Sequence, residues 1–454
     1  MWSRREQHHA YQFLTRRITS AVLQGEPESN ELPMRRFGVA LFSGIAVALL
    51  VVAGFTVYGL LFPGGGRPAE NVIILERETG AIFIYVDGRL HPVLNLTSAR
   101  LILGQVEVKT MARVSLRDVP RGPAVGIDGA PDSLPDQGSL VGLPWSVCSA
   151  PSAPQSVRLA THVLVGWVPD GGDPFSETEG LLVTSGSTGE RFLIWRDHRL
   201  RIADNTVLAA LGWAAVAPLP VAHAFLNTIP PGPDLVALAI PGRGEPSPHR
   251  VDGAATTIGQ LFHAAGQHYV MVDEGLAPVG EVTARLWQAA GRAATDTSAG
   301  EAGRLLAQTR LEPLGMPGQV PSAAGLDDGF GMACAVYGGT DGGVRVDVYG
   351  RVPESIPSTI NDIEGGFLAD RVALPGGRGA LAATLLPDDA TATGVVYLVT
   401  DQGIKYPLAG EDTDAVRAAL GYGGVTPVAV PAAVLDLVPT GPALDPQAAS
   451  AFAR

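Results

Sequence analysis

"IYVDGRLHPV" runs from Ile84 to Val93: an apolar stretch, an Asp-Gly pair and a second apolar stretch. That is the pattern of two short strands joined by a tight turn, and Asp-Gly suits the left-handed backbone such a turn needs. The pattern returns as "IWRDHRLRIA" from Ile194, "VMVDEGLAPV" from Val270 and "LVTDQGIKYP" from Leu398. Aligning Asp87, Asp197, Asp273 and Asp401 as the repeat-turn residues also aligns Leu90, Leu200, Leu276 and Ile404. A short helix pattern follows every time and ends at Gly104, Gly212, Gly291 or Gly421, where glycine suits a left-handed C-terminal cap. Asn95, Asp204 and Thr413 are the expected N-caps. Three of the four units close on a shared tail, "LRDVPRGP", "LNTIPPGP" and "LDLVPTGP", with "LEPLGMPG" near Gly315 as the weaker third version. Such tails end a strand and turn the chain sharply.

Upstream lies "FGVALFSGIAVALLVVAGFTVYGLLF", Phe37 to Phe62, without a single charge. About 20 apolar residues suffice to cross a bilayer core. The run is too long for a secretory h-region and no A-x-A cleavage pattern follows it, so it reads as an uncleaved anchor. Six Arg, including Arg35 and Arg36 at its border, precede it against four Glu, while Arg67 is the one nearby basic residue after it. The positive-inside rule therefore expects a cytosolic N-terminus and an exterior C-terminal part. That exterior part carries 26 basic and 41 acidic residues, a poor surface for nucleic acid.

Cys148 and Cys334, the chain's two cysteines, both fall on the exterior side, where an even count favours a disulfide over two separate buried thiols. The aligned aspartates lie 110, 76 and 128 residues apart, too irregular for a solenoid. Inserts therefore separate repeats one and two and repeats three and four, each with one cysteine and one strand-like run, "SVRLATHVLVGWV" and "GVRVDVYGRV". The expected fold is α+β: a cytosolic helical arm (1–36), a transmembrane helix (37–62), and an elongated exterior domain of four small αβ repeats around a β-rich, disulfide-linked core. The repeats fall at 70–123, 179–233, 255–317 and 393–442, the core at 124–178 and 318–392, and a flexible tail at 443–454. Repeats one and four are expected together near the membrane, and two and three at the other end. Segments crowded with Gly, Pro, Ser and Asp read as loops, among them "PGGGRPAE" from Pro63, "PGRGEPSPHRVDG" from Pro241 and "AATDTSAGEAG" from Ala293.

No residue reads as catalytic, cofactor-binding or metal-ligating. The chain has no G-x-x-x-x-G-K-[ST] loop, no H-E-x-x-H and no G-x-S-x-G, and its two lysines, Lys109 and Lys405, lie in no phosphate loop. "TSGSTGE" from Thr184 falls in the hairpin of the second repeat. His263 and His268, five apart, do not share a helix face as i, i+4 ligands would, and read as ordinary surface or hydrogen-bonded histidines. The pairs Asp327–Asp328 and Asp388–Asp389 read as solvated turns.

With "REQHHAYQFLTRRITSAVLQGE", the basic-flanked span, "VPRGPAVGIDGAPDSLP" and "PWSVCSAP", the chain resembles the EccB component of type VII (ESX) secretion systems of mycobacteria and related actinobacteria. The resemblance covers nearly the whole chain. It implies an inner-membrane secretion complex with the EccC motor ATPase, EccD and EccE as partners, self-association through the periplasmic part, and a single-pass location with the N-terminus cytosolic. On a helix, Tyr11, Leu14, Ile18 and Ala21 or Val22 form one apolar stripe with Arg16 and Arg17 off it, a face that suits a partner's groove or the inner leaflet, where arginines meet anionic lipid; the resemblance favours the groove. A structural secretion subunit is the expectation. Two alternatives stand beside it: ATPase activity, which proteins of the family are sometimes labelled with despite the missing phosphate loop, and a tethered module binding cell-wall peptidoglycan.

Overall fold

In chain order, helices α1 (Arg4–Gln24) and α2 (Pro33–Leu61) precede strands β1 (Ile73–Glu76), β2 (Ile82–Val86) and β3 (Arg89–Val93). Helix α3 (Leu96–Leu103), strand β4 (Val108–Met111) and helix α4 (Arg113–Leu116) follow. Then come β5 (Trp145–Pro151), β6 (Leu159–Val165), β7 (Asp173–Pro174), β8 (Glu179–Ser185), β9 (Arg191–Trp195) and β10 (His198–Ile202). The middle of the chain holds α5 (Asn205–Leu211), β11 (Leu219–Val221), α6 (His223–Thr228), β12 (Pro246–Val251), β13 (Ala254–Thr257), β14 (Leu261–Ala264), β15 (Gln267–Val272) and β16 (Gly275–Val279). Next are α7 (Glu281–Ala289), β17 (Thr295–Asp296), α8 (Ala299–Arg304), β18 (Ser322–Ala324), β19 (Met332–Tyr337), β20 (Val344–Tyr349) and β21 (Arg371–Ala373). The last elements are β22 (Gly379–Leu385), β23 (Val396–Thr400), β24 (Lys405–Pro407), α9 (Thr413–Leu420), β25 (Val428–Pro431), α10 (Ala432–Leu435) and α11 (Pro446–Ser450). This computed structural model describes residues 3–24, 33–61, 68–153, 156–338, 343–356, 368–385 and 394–452. The glycines of "PGGGRPAE" and the pair Asp388–Asp389 lie outside them.

The chain divides into two compact units, residues 1–92 with 107–122 and residues 93–106 with 123–454. The first holds α1, α2 and a sheet of order β3-β2-β1-β4. Ile74, Phe83, Leu90 and Met111 from that sheet bury one face against Leu116 of α4. Helix α2 contains an apolar run, Phe37–Gly59, long enough to cross a membrane and wholly unburied by the rest of the chain.

The second unit repeats that sheet order three more times, as β10-β9-β8-β11, β16-β15-β14-β17 and β24-β23-β22-β25. In every repeat three antiparallel strands are followed by a helix and a fourth strand that returns parallel to the first. The register recurs as well. Ile74, Val183, Phe262 and Ala382 on the first strands face Phe83, Phe192, Tyr269 and Tyr397 on the second, and Lys109, Leu219, Thr295 and Val428 on the fourth. An aromatic ring thus holds the same place in all four.

Between the repeats of the second unit lies a six-stranded sheet of order β21-β6-β5-β19-β20-β7, with three strands from each insert. Alternation along its strands separates two faces. Val147, Val163, Ala333, Ala335 and Val346 join a core shared with α6, α10 and the aromatic-side faces of repeats two and four. Cys148, Leu164, Met332, Cys334 and Tyr349 line the other face. Helix α3 packs on α9 and α11, and α5 on α7, so a helix of repeat one meets repeat four and repeat two meets repeat three.

Several expectations are corrected. Residues 443–454, expected as a flexible tail, carry α11, capped by Asp445, with Ala449 fully buried. The loop expected from Pro241 holds β12, which pairs with β13 through an Asp252-Gly253 turn of positive φ; the prolines at 246 and 248 suit an unshared edge and hide the strand. "AATDTSAGEAG" contains β17 and α8, the latter capped by Ser298. The cap of α9 is Asp412, whose carboxylate accepts from the Asp414 and Ala415 N–H groups, and Thr413 is the first helical residue.

Candidate functional site

The repeat turns do not build a shared site. Asp87 and Gly88 both adopt positive φ, and Gly88 N–H donates to Glu70. In repeat two Arg196, not Asp197, takes the left-handed first position, so the aspartate alignment slips by one there; Asp197 instead contacts His198 Nδ1 at 2.7 Å. Asp273 offers its backbone carbonyl to His249, and Asp401 accepts from Gly377 N–H at 2.9 Å. The four aspartates thus have four unrelated environments.

The proline-glycine tails have a more specific task. Leu90 N–H donates to Pro120 O and receives Gly122 N–H on its carbonyl; Arg199 does the same with Pro230 and Gly232, and Lys405 with Pro439 and Gly441. The tail is thereby a one-residue parallel extension of the repeat's sheet. In repeat three the equivalent partners of Leu276 are Leu305 and Ala307, not the "LEPLGMPG" segment near Gly315. Cations sit over the recurrent aromatics: Arg121 over Phe83, Arg199 over Phe192 and Lys405 over Tyr397, at 4.7, 5.7 and 5.3 Å from the ring centroids. Sequence reasoning missed this column, although "IF", "RF", "HY" and "VY" at matching offsets were its visible signal.

Cys148 and Cys334 are direct cross-strand partners on β5 and β19, bonded at 2.07 Å. His162 and Asp347 flank them in the same row, with Arg371 beyond His162. Asp347 is buried and accepts two hydrogen bonds from Arg345, at 2.7 and 2.9 Å. Burial pushes His162 down to about 4, Arg371 adds to the shift and Asp370 opposes it, so the imidazole is neutral near pH 7.

Neither lysine is presented to a phosphate. Lys109 lies 3.7 Å from Glu107 on the surface, and Lys405 is buried, its ammonium donating to the Leu435 carbonyl. The turn within "TSGSTGE" joins two antiparallel strands, and Thr188 Oγ1 there donates to the Glu190 carboxylate, so the loop opens no helix of the kind that cradles phosphate. A groove of about 1060 Å³ on repeat four is lined mainly by apolar groups, and its Arg417 is engaged by Asp414 and the Val425 carbonyl. Among the described residues no group of three or more His, Cys, Asp or Glu side chains is set to hold a metal ion.

Besides the unburied run of α2, α1 leaves apolar side chains uncovered. On α1, Tyr11, Leu14 and Ile18 are 71, 58 and 59% exposed, Val22 continues their stripe, and Phe13, Arg16 and Arg17 are exposed off it. Phe13 escaped the sequence reading because it lies off the strict stripe. Apolar surface of this kind seeks a partner or a lipid face.

These features define a class: a membrane-anchored assembly protein with one helix able to span a bilayer and a disulfide-linked, repeat-built domain. A family model described as "Type VII secretion system ESX-1, transport TM domain B" matches residues 1–453, and the chain belongs to that family. The "ESX-3 secretion system ATPase EccB3" of Mycolicibacterium smegmatis is 29% identical across 97% of this chain and 89% of its own. The "ESX-5 secretion system ATPase EccB5" of Mycobacterium marinum is 28% identical across 97% of this chain and 92% of its own. Among solved structures, an intact ESX-5 inner membrane complex contains a similar chain (25% identity, TM-score 0.68, covering 100% of this chain and 96% of that one). The EccB3 dimer from the ESX-3 core complex is also similar (27% identity, TM-score 0.67, covering 84% and 99%). EccB is a membrane component of the ESX inner membrane complex.

Proposed function

We propose that this chain is a structural, single-pass subunit of a type VII secretion inner-membrane complex. Helix α1 grips cytosolic partners, α2 crosses the membrane, and the four-repeat domain organises the periplasmic side. The observation that carries this reading is the uncovered apolar face of α1, joined in one chain to an unburied apolar span. The excess of arginine before the span supports a cytosolic N-terminus. The EccC motor ATPase, EccD and EccE are the proposed neighbours, and a second copy of this chain the proposed periplasmic contact.

The relatives' names carry the word ATPase, which makes hydrolysis the competing reading. Against it stand a sequence without a phosphate loop and two lysines that are both engaged elsewhere. Purification in mild detergent from cells bearing the secretion operon tests the assembly reading, with bound proteins identified by mass spectrometry. Recovery within a large complex containing a motor ATPase is expected. Recovery of the chain alone, under conditions that keep other membrane complexes whole, would refute the structural role, as would unchanged assembly after removal of residues 1–30. ATP hydrolysis by the purified chain, lost on mutation of a defined pocket, would establish the enzymatic reading.

A further inference from the structure

His263 and His268 are directly opposite on β14 and β15, and Asp296 on β17 is opposite His263 on its other side. All three side chains therefore leave the same face of the third repeat's sheet. The two imidazole centroids are 5.0 Å apart with planes inclined at 48°. Asp296 Oδ1 lies 3.1 Å from His263 Nδ1.

We propose that this cross-strand pair is a divalent-metal site of the zinc class, with His263 and His268 as the protein ligands and Asp296 as the group that orients His263. Zinc holds imidazole nitrogens at about 2.0–2.1 Å, and two rings sharing one tetrahedral ion have centroids about 5 Å apart. The observed separation of 5.0 Å falls at that value. A carboxylate on Nδ1 fixes the tautomer of His263 and leaves Nε2 with its lone pair free, the arrangement that metal-bound histidines use. Glu281, at the start of α7, is paired with Arg285 at 2.6 Å, so the site offers two protein ligands rather than three. Its remaining positions are open to water or to a donor from a docking molecule. The side chains of His263 and Asp296 are 38 and 90% exposed, so an ion reaches the pair directly from solvent.

The test uses the full-length chain in detergent micelles, stripped of metal and carrying His8→Ala and His9→Ala so that the adjacent histidines of α1 do not compete. Calorimetric titration with zinc chloride is expected to show one ion bound per chain. Binding should vanish in His263→Asn/His268→Asn and weaken about 10–100-fold in Asp296→Asn. No zinc uptake by the background protein, or uptake unchanged in the double variant, would overturn the proposal. Circular dichroism checks that the double variant is folded. If it is not, the surface substitution Asp296→Asn decides, and affinity equal to the background protein's would then refute the site.

Discussion

The Cδ1–Cε1 edge of the Tyr406 ring lies so close to Gly441 that a Cβ on Gly441 would run into it. The same closeness joins His91 to Gly122, while a Cβ on Gly232 would meet His198 Cβ at 3.2 Å and Leu200 Cγ at 3.4 Å, a milder crowding. In repeat three the equivalent strand residue is Ala277, and the tail residue is Ala307 rather than glycine. Glycine is kept where a large side chain covers the tail and dropped where none does. Tyr406 is buried in the core beneath α9 and has no room to retreat. Gly441→Ala should therefore destabilise the repeat-built domain by about 1–3 kcal/mol, an overpacking cost. Urea denaturation measures it; Ala307→Gly serves as the contrast and should cost less than Gly441→Ala.

Removing the Cys148–Cys334 bond frees a segment of 186 residues in the unfolded chain. The expected loss is about 2–5 kcal/mol for Cys148→Ala, Cys334→Ala or both together, since either change breaks the same closure. Denaturant midpoints with and without reductant check this. A double variant markedly less stable than either single one would show that the sulfurs also matter as separate core groups.

His162 gives the domain a pH dependence of defined sign. It is 2% exposed and its folded pKa is about 4, against about 6.5 when unfolded. The unfolded chain takes up a proton that the folded chain refuses, so this contribution is complete above pH 6.5 and is lost as pH falls toward 4. The full span is worth about 3 kcal/mol. His162→Asn should flatten the loss of stability between pH 7 and pH 4.5 relative to the unchanged protein. Equal slopes would show that other groups carry the acid sensitivity.

Much of the fold was legible because hairpins and helix ends depend on local chemistry. The Asp87-Gly88 turn, the Asn95 and Asp204 caps and the left-handed glycines after α5 and α9 act through their own side chains or backbone, whereas Gly104 pairs positive φ with an extended ψ and α7 is capped by Ala290 ahead of Gly291. Pairing of the two inserts was legible because each held one cysteine. What escaped depends on contacts remote in sequence. Asp197 resembles Asp87 in print, yet strand register decides which residue turns, and it chose Arg196. The third tail is recognisable only from its bonds to Leu276. The histidine pair was dismissed on helical spacing, although a five-residue separation around the Ala265-Gly266 turn places both rings opposite one another on strands.

Helix α1 supplies the decisive functional variant. Leu14 and Ile18 are exposed and belong to none of the hydrophobic clusters of the repeat-built domain. Leu14→Asp/Ile18→Asp should leave denaturation of that domain within about 0.5 kcal/mol of the unchanged protein, as surface substitutions do. Placing two carboxylates in the apolar stripe should nevertheless remove its capacity to dock in a partner's groove, because each charge would have to be buried without a counter-ion. Pull-down from membranes of operon-bearing cells reads this as a loss of co-purifying subunits of at least tenfold, with the variant still inserted in the membrane. Arg16→Ala/Arg17→Ala separates the protein-groove reading from lipid contact. Weakened membrane attachment of a peptide comprising residues 1–30, with complex recovery intact, would assign α1 to the lipid surface and refute the grip on partners.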